Sequence, residues 1–201
     1  IVPQSENVIF QTSVPEAMTL CYGENCSSVS IPTKATALAA GPGIGTSQTT
    51  KETFQRLMQD WGKPLTVDAD ALNLLSESTE LLNLLPQGSL LTPHVGEFER
   101  LIKKSTSNDF ERLGEQKALS KMLNCIILLK GAFTKITTPE GRVWVNPTGN
   151  AGMAKGGSGD ILTGLIAGLA ARGHSMEDSA VIGAYLHGLA GDLCAQTLGM
   201  E

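Results

Sequence analysis

The 201-residue chain is short of aromatic side chains, at 4%, and short of basic ones. Fifteen Lys and Arg face 20 Asp and Glu, a formal net charge of −5. Nucleic-acid binding needs a basic stripe, so that class is excluded. No apolar run approaches the roughly 18 residues of a membrane-spanning helix. The opening Ile1-Val2-Pro3-Gln4 has neither a charged n-region nor an apolar core, so it does not read as a secretory signal. It also lacks a Met, and the chain is expected to begin inside a longer product. The four cysteines, Cys21, Cys26, Cys125 and Cys194, form no C-x-x-C and have no His at metal-ligand spacing. A Cys21–Cys26 disulfide is the weaker reading. Buried free thiols in a reducing cytoplasm are the stronger one.

What the chain does have is an ordinary apolar fraction, 41%, and 22 glycines. The first excludes a disordered chain, and the length suits one domain with a sizeable core. The glycines follow no period, so collagen-like and repeat folds are excluded too. They mark turns, close packing or ligand loops instead.

Short β-rich runs alternate with helical ones. Strands are expected over 35–40, 65–68, 89–92 and 125–129, and a hairpin over 134–145. Helices are expected over 49–61, 70–85, 97–103, 111–123, 159–171 and 177–198, with Asp70 as a cap. This succession predicts an α/β domain with a mainly parallel sheet. Ligands then bind beyond the carboxyl ends of the strands. The runs 41–45, 68–73 and 92–97 fall there.

The strongest signal is Asn146-Pro147-Thr148-Gly149-Asn150-Ala151-Gly152-Met153-Ala154-Lys155-Gly156-Gly157-Ser158-Gly159-Asp160, followed by an apolar helix. Glycines 156, 157 and 159 let backbone N–H groups approach an anion, and the helix adds its positive end. Asp160 in the first turn can take a proton from a hydroxyl that attacks a phosphoryl group. A plain Gly-rich turn capped by Asp is the alternative, which six glycines between 149 and 164 disfavour. Lys130-Gly131-Ala132-Phe133-Thr134, after an apolar strand, offers a lysine and a hydroxyl to phosphates or ribose. A simple turn explains it equally well. In Thr92-Pro93-His94-Val95-Gly96-Glu97, His94 and Glu97 can face a ligand or merely start a helix. Asp68 could hold a metal-bound water or a substrate hydroxyl. His187-Gly188-Leu189-Ala190-Gly191-Asp192 reads as close helix packing against the Gly164/Gly168 face, and His174 as a residue at a helix end.

Taken in order, GPGIG (41–45), VDADALN (67–73), LTPHVGEFERL (91–101), LLKGAFT (128–134), the 146–173 block and HGLAGD (187–192) resemble the ADP/ATP-dependent NAD(P)H-hydrate dehydratases, the carboxy-terminal domain of YjeF-type proteins. The resemblance implies a single ribokinase-like domain over 1–201. It would be a three-layer α/β sandwich whose mainly parallel central sheet is flanked by helices, with N-terminal strands and the closing segment missing. It also implies a lyase that returns the S-epimer of 6-hydroxy-tetrahydro-NAD(P)H to NAD(P)H at the expense of ADP or ATP. The implied base is Asp160. The implied substrate contacts are Gly45, His94, Asp68, Asn150 and Asp160. The implied nucleotide site is Lys130, Gly131, Ala132, Phe133, Thr134, Gly157, Ser158 and Gly159. Mg²⁺ is the implied phosphate counter-ion, with no residue assigned to it. A cytoplasmic homo-oligomer, plausibly a tetramer, is expected, with a fused or partner NAD(P)H-hydrate epimerase. A small-molecule kinase of the same fold and a nucleotide-sensing module remain the alternatives.

Overall fold

The computed structural model describes residues 1–3, 7–22 and 31–199. The chain opens with β1 (Val2–Pro3), α1 (Asn7–Ser13) and β2 (Cys21–Tyr22), and the two strands pair in parallel apart from the main sheet. The main body follows as β3 (Ala39–Ala40), α2 (Gln48–Trp61), β4 (Thr66–Val67), α3 (Ala69–Glu77), α4 (Thr79–Leu84), β5 (Leu90–Leu91), α5 (Val95–Ile102), α6 (Asp109–Leu123) and β6 (Ile126–Leu129). A hairpin, β7 (Lys135–Thr137) and β8 (Val143–Val145), leads through a 3₁₀ turn at Ala151–Met153 to α7 (Ser158–Ala171) and α8 (Met176–Leu198). Among the described residues no helix is long and apolar enough to cross a membrane.

The six-stranded sheet runs β3-β4-β5-β6-β7-β8; the first four strands are parallel and the hairpin is antiparallel. Spatial order equals chain order, so right-handed crossovers put every connecting helix on the same face. Strand side chains alternate between the faces. Val67, Leu91, Ile127 and Leu129 pack with Phe54, Met58 and Trp61 of α2, Leu72 and Leu75 of α3, and Phe98 of α5. Leu90, Ile126, Leu128 and Ile136 pack with Leu162 and Ile166 of α7 and Ala180 and Ala184 of α8. Three layers result, and their order is that of the ribokinase-like sandwich.

Four expectations change. The helix expected over 70–85 is two helices, parted where Ser78 leaves helical geometry at φ −134°. The Ser78 hydroxyl accepts the Leu81 N–H and restarts the chain as α4. The residue before α3 is Asp68, not Asp70, and its carboxylate caps nothing. Glycines of α8 do pack closely, but not on Gly164 or Gly168, which face open space. A Cβ on Gly183 would lie 2.7 Å from Ile166, and Cβ atoms on Gly188 and Gly191 would overlap Thr148 and Met153. The absent side chains let α8 clamp α7 and the 146–153 loop. Of the thiols, Cys125 is buried, and burial pushes its pKa up to about 11, whereas Cys21 and Cys194 are exposed. Cys26, and with it the weaker reading of a Cys21–Cys26 disulfide, lies outside the described residues.

Gly41 brings the end of β3 against β4. Its φ is +141°, and a Cβ there would overlap the Asp68 carbonyl. Gly41→Ala is therefore expected to destabilise the protein by on the order of 3 kcal/mol, combining backbone strain and overpacking. A thermal unfolding midpoint measured beside the wild type checks this; an unchanged midpoint contradicts the close approach.

Candidate active site

The carboxyl ends of the four parallel strands carry Gly41–Gly45, Asp68, the 92–97 turn and Lys130 in one row. The last two are stitched together: His94 and Lys130 form a parallel bridge, and the Lys130 N–H donates to the Pro93 carbonyl at 2.8 Å. The Lys130 ammonium then turns inward. It lies 2.8 Å from Asp68 Oδ1 and 4.0 Å from Glu97 Oε2. Asp68 is 1% exposed, and its other oxygen accepts the Thr163 hydroxyl of α7 at 2.6 Å. A buried carboxylate without such partners would be costly, so the pair and the hydroxyl are a condition of the arrangement.

α7 points its N-terminus at the same place. Gly157 starts it in the left-handed region, at φ +84°. Among the described residues the N–H groups of Gly159 and Asp160 have no partner. A Cβ on Gly159 would stand 3.3 Å from Lys130 Nζ. The ammonium and the open helix end thus flank one space. An anion there meets fixed N–H dipoles and a cation together. Asp160, in the same first turn, is exposed. Ser158 Oγ is 3.4 Å from Nε2 of His187 on α8, whose pKa is held below the usual histidine value by burial.

Other side chains hold the surrounding loops. His94 caps α5: Nδ1 accepts the N–H groups of Gly96 and Glu97, while Glu97 accepts the His94 N–H at 2.8 Å. The helix-start reading of this turn is realised, yet the ring stays 55% exposed. Glu97 is buried and faces Lys130 rather than solvent. The Gly45 N–H donates to Asp70 Oδ2 at 2.8 Å, so Asp70 ties down the Gly-rich loop instead of capping a helix. Asn150 is engaged at both ends: its oxygen accepts the Gly152 N–H, and its amide donates to Asp192. Asp192 also accepts the Gly149 N–H, and these bonds keep its carboxyl below the ordinary range. Gly131, Ala132 and Phe133 are exposed beyond β6, and Thr134 closes their turn on the Gly131 carbonyl.

Of the residues singled out from sequence, the fold therefore gathers Asp68, Lys130, Gly157, Ser158, Gly159, Asp160 and His94 at one end of the sheet. Asn150 belongs to the loop beside them. Thr163 and Asp192 were missed. Thr163 carried one signal, a lone hydroxyl in an apolar helix one turn after Asp160. Asp192 was hidden in a run that reads as packing. Among the described residues no three acidic, His or Cys side chains are grouped as a metal cage. The donor set suits an anion, and a Mg²⁺ ion would be held mainly by phosphate oxygens and water.

Comparison with known proteins points to one family. A family model described as NAD(P)H-hydrate dehydratase matches residues 1–200. The chain is 44% identical over 165 residues to the bifunctional NAD(P)H-hydrate repair enzyme Nnr of Moorella thermoacetica, covering 82% of this chain and 31% of that protein. It is 34% identical over 168 residues to the ADP-dependent (S)-NAD(P)H-hydrate dehydratase of Neisseria meningitidis serogroup B, covering 82% and 57% respectively. The chain thus spans about a third to just over half of these relatives' lengths. The crystal structure of the ADP/ATP-dependent NAD(P)H-hydrate dehydratase of Bacillus subtilis, co-crystallised with ATP/Mg²⁺, superposes with a TM-score of 0.84 at 27% identity, covering 100% of this chain and 72% of that one. With a matching model over nearly its whole length and a matching fold, the chain belongs to the NAD(P)H-hydrate dehydratase family.

Proposed function

We propose that this protein repairs hydrated NADH and NADPH, dehydrating the S-epimer at the expense of ADP or ATP. The observation that carries the reading is the space shared by the Lys130 ammonium and the open N–H groups of α7, with Asp160 exposed in the same helical turn. It offers a site for a transferring phosphoryl group and a base next to it. The names of the relatives support the substrate and the nucleotide.

Hydroxide is a poor leaving group. Asp160 takes the proton of the 6-hydroxyl as its oxygen attacks the terminal phosphorus of the nucleotide, and the shortened nucleotide leaves. The helix N–H groups and Lys130 stabilise charge on the phosphoryl oxygens. The C6–O bond then breaks, phosphate leaves, a proton is lost from C5, and the ring double bond re-forms. Lys130 to Thr134 with Gly157, Ser158 and Gly159 would hold the nucleotide. Gly45, His94 and the 150 loop would hold the dinucleotide. Asp68 would act through Lys130, since both its oxygens are engaged. Mg²⁺, when bound, supplies charge neutralisation at the phosphates; the residues here fit it as a companion of the nucleotide. The word "bifunctional" in the Moorella enzyme's name supports a fused or partner epimerase. A homo-oligomer in the cytoplasm completes the proposal.

Full-length protein incubated with hydrated NADH, Mg²⁺ and ADP or ATP should restore NADH absorbance; no recovery with either nucleotide refutes the proposal, and a stable phosphorylated product would point to a kinase. Asp160→Asn should lower turnover by about 10²–10⁴ while nucleotide still binds. Near-normal turnover would reduce Asp160 to a helix-terminal residue. Lys130→Ala should weaken nucleotide binding in calorimetry, and unchanged binding would remove Lys130 from the site.

A further inference from the structure

We propose that Thr163 is a positioning residue for the nucleotide site, acting on the Lys130 ammonium through Asp68 and touching no ligand itself. The inference rests on Lys130 being a nucleotide ligand.

Asp68 is closed off from solvent, and each of its oxygens already has a partner. Lys130 Nζ occupies Oδ1 at 2.8 Å and Thr163 Oγ1 occupies Oδ2 at 2.6 Å, while the residue is 1% exposed. The Gly41 backbone presses on its main chain. What the carboxylate does is fix the ammonium, and what fixes the carboxylate is a single proton from α7. Thr163 is 4% exposed and is the only hydroxyl residue between Asp160 and the end of α7. It lies three residues after Asp160, one turn further along the same side of the helix. The helix that carries the base therefore also sets where the ammonium stands. Remove the hydroxyl, and Asp68 Oδ2 is buried without a donor. The ammonium is then the nearest proton source. Moving to bridge both oxygens takes it from the position it holds 3.3 Å from where a Gly159 Cβ would stand, and so changes its placement at the anion space.

Three variants and a double variant test this in the full-length protein, with ADP and ATP as calorimetric probes and the unfolding midpoint as a check of folding. Thr163→Val keeps the branched shape and loses the proton. It should weaken ADP binding about 10-fold or more, the range of a hydrogen bond to a charged group. The nucleotide KM should rise while the KM for hydrated NADH holds. Thr163→Ser restores the hydroxyl and should recover binding to within a few-fold of wild type. Lys130→Met keeps the apolar stem and loses the charge. In that background Thr163→Val should cost no further affinity, because a residue that acts only through Lys130 has nothing left to act on. Equal losses in both backgrounds, or Thr163→Val binding ADP like wild type, would overturn the inference. Should Lys130→Met fail to fold, the Val/Ser contrast and the KM split decide alone. A wild type that binds neither nucleotide refutes the nucleotide-site reading instead, as does Lys130→Met with undiminished affinity.

Discussion

A buried carboxylate, Asp68, stands between the sheet and α7, and its need for partners organises the site. In a poorly solvated place a lone charge is far more costly than a paired one. Asp68 finds a cation 62 residues later, just past the end of β6, and a proton 95 residues later on α7. Those two bonds tie together layers that hydrophobic packing alone would leave free to slide. Apolar contacts between α7 and the sheet fix distance well and register poorly. A 2.6 Å hydrogen bond from Thr163 fixes register, and with it the direction of the open helix end.

The same pairing resolves a problem of charge. The protein carries a net −5, and the ligands proposed for it are polyanions. Long-range steering works against them, so the attraction must be local. Backbone N–H groups at the start of α7 supply part of it without adding charged side chains. Lys130 supplies the rest, but an ammonium held only by a flexible stem would spend its freedom in solvent. Asp68 confines it at the cost of partly neutralising it. The start of α7 offsets that loss, because no side chain caps its N–H groups.

Much of this was legible in the sequence, and the rest was not for identifiable reasons. The α/β succession, the hairpin and the strand-end motifs follow from local periodicity and turn residues, which act over a few positions. The break at Ser78 was not legible, because no Gly or Pro marks it and the leucines keep a helical period through it. The roles of Asp68, Asp70 and Asn150 were blurred because their decisive partners, Thr163, Gly45 and Asp192, are distant in the chain. Spacing arguments see a carboxylate at a strand end. They do not see which donor the fold will bring to it.

His94 shows why capping and ligand contact need not compete. An imidazole has two nitrogens with different tasks. Here Nδ1 accepts two helix N–H groups, while Nε2 lies 3.5 Å from Glu97 Oε1. The cap therefore fixes the ring plane before any ligand arrives. Glu97 closes the box by accepting the His94 N–H and, on its inner side, approaches Lys130. One helix start thus sets an exposed imidazole against a buried carboxylate. The turn at 92–97 joins the face proposed for the dinucleotide to the cation proposed for the nucleotide, and the capping bonds that look purely structural are what hold the two at a fixed separation.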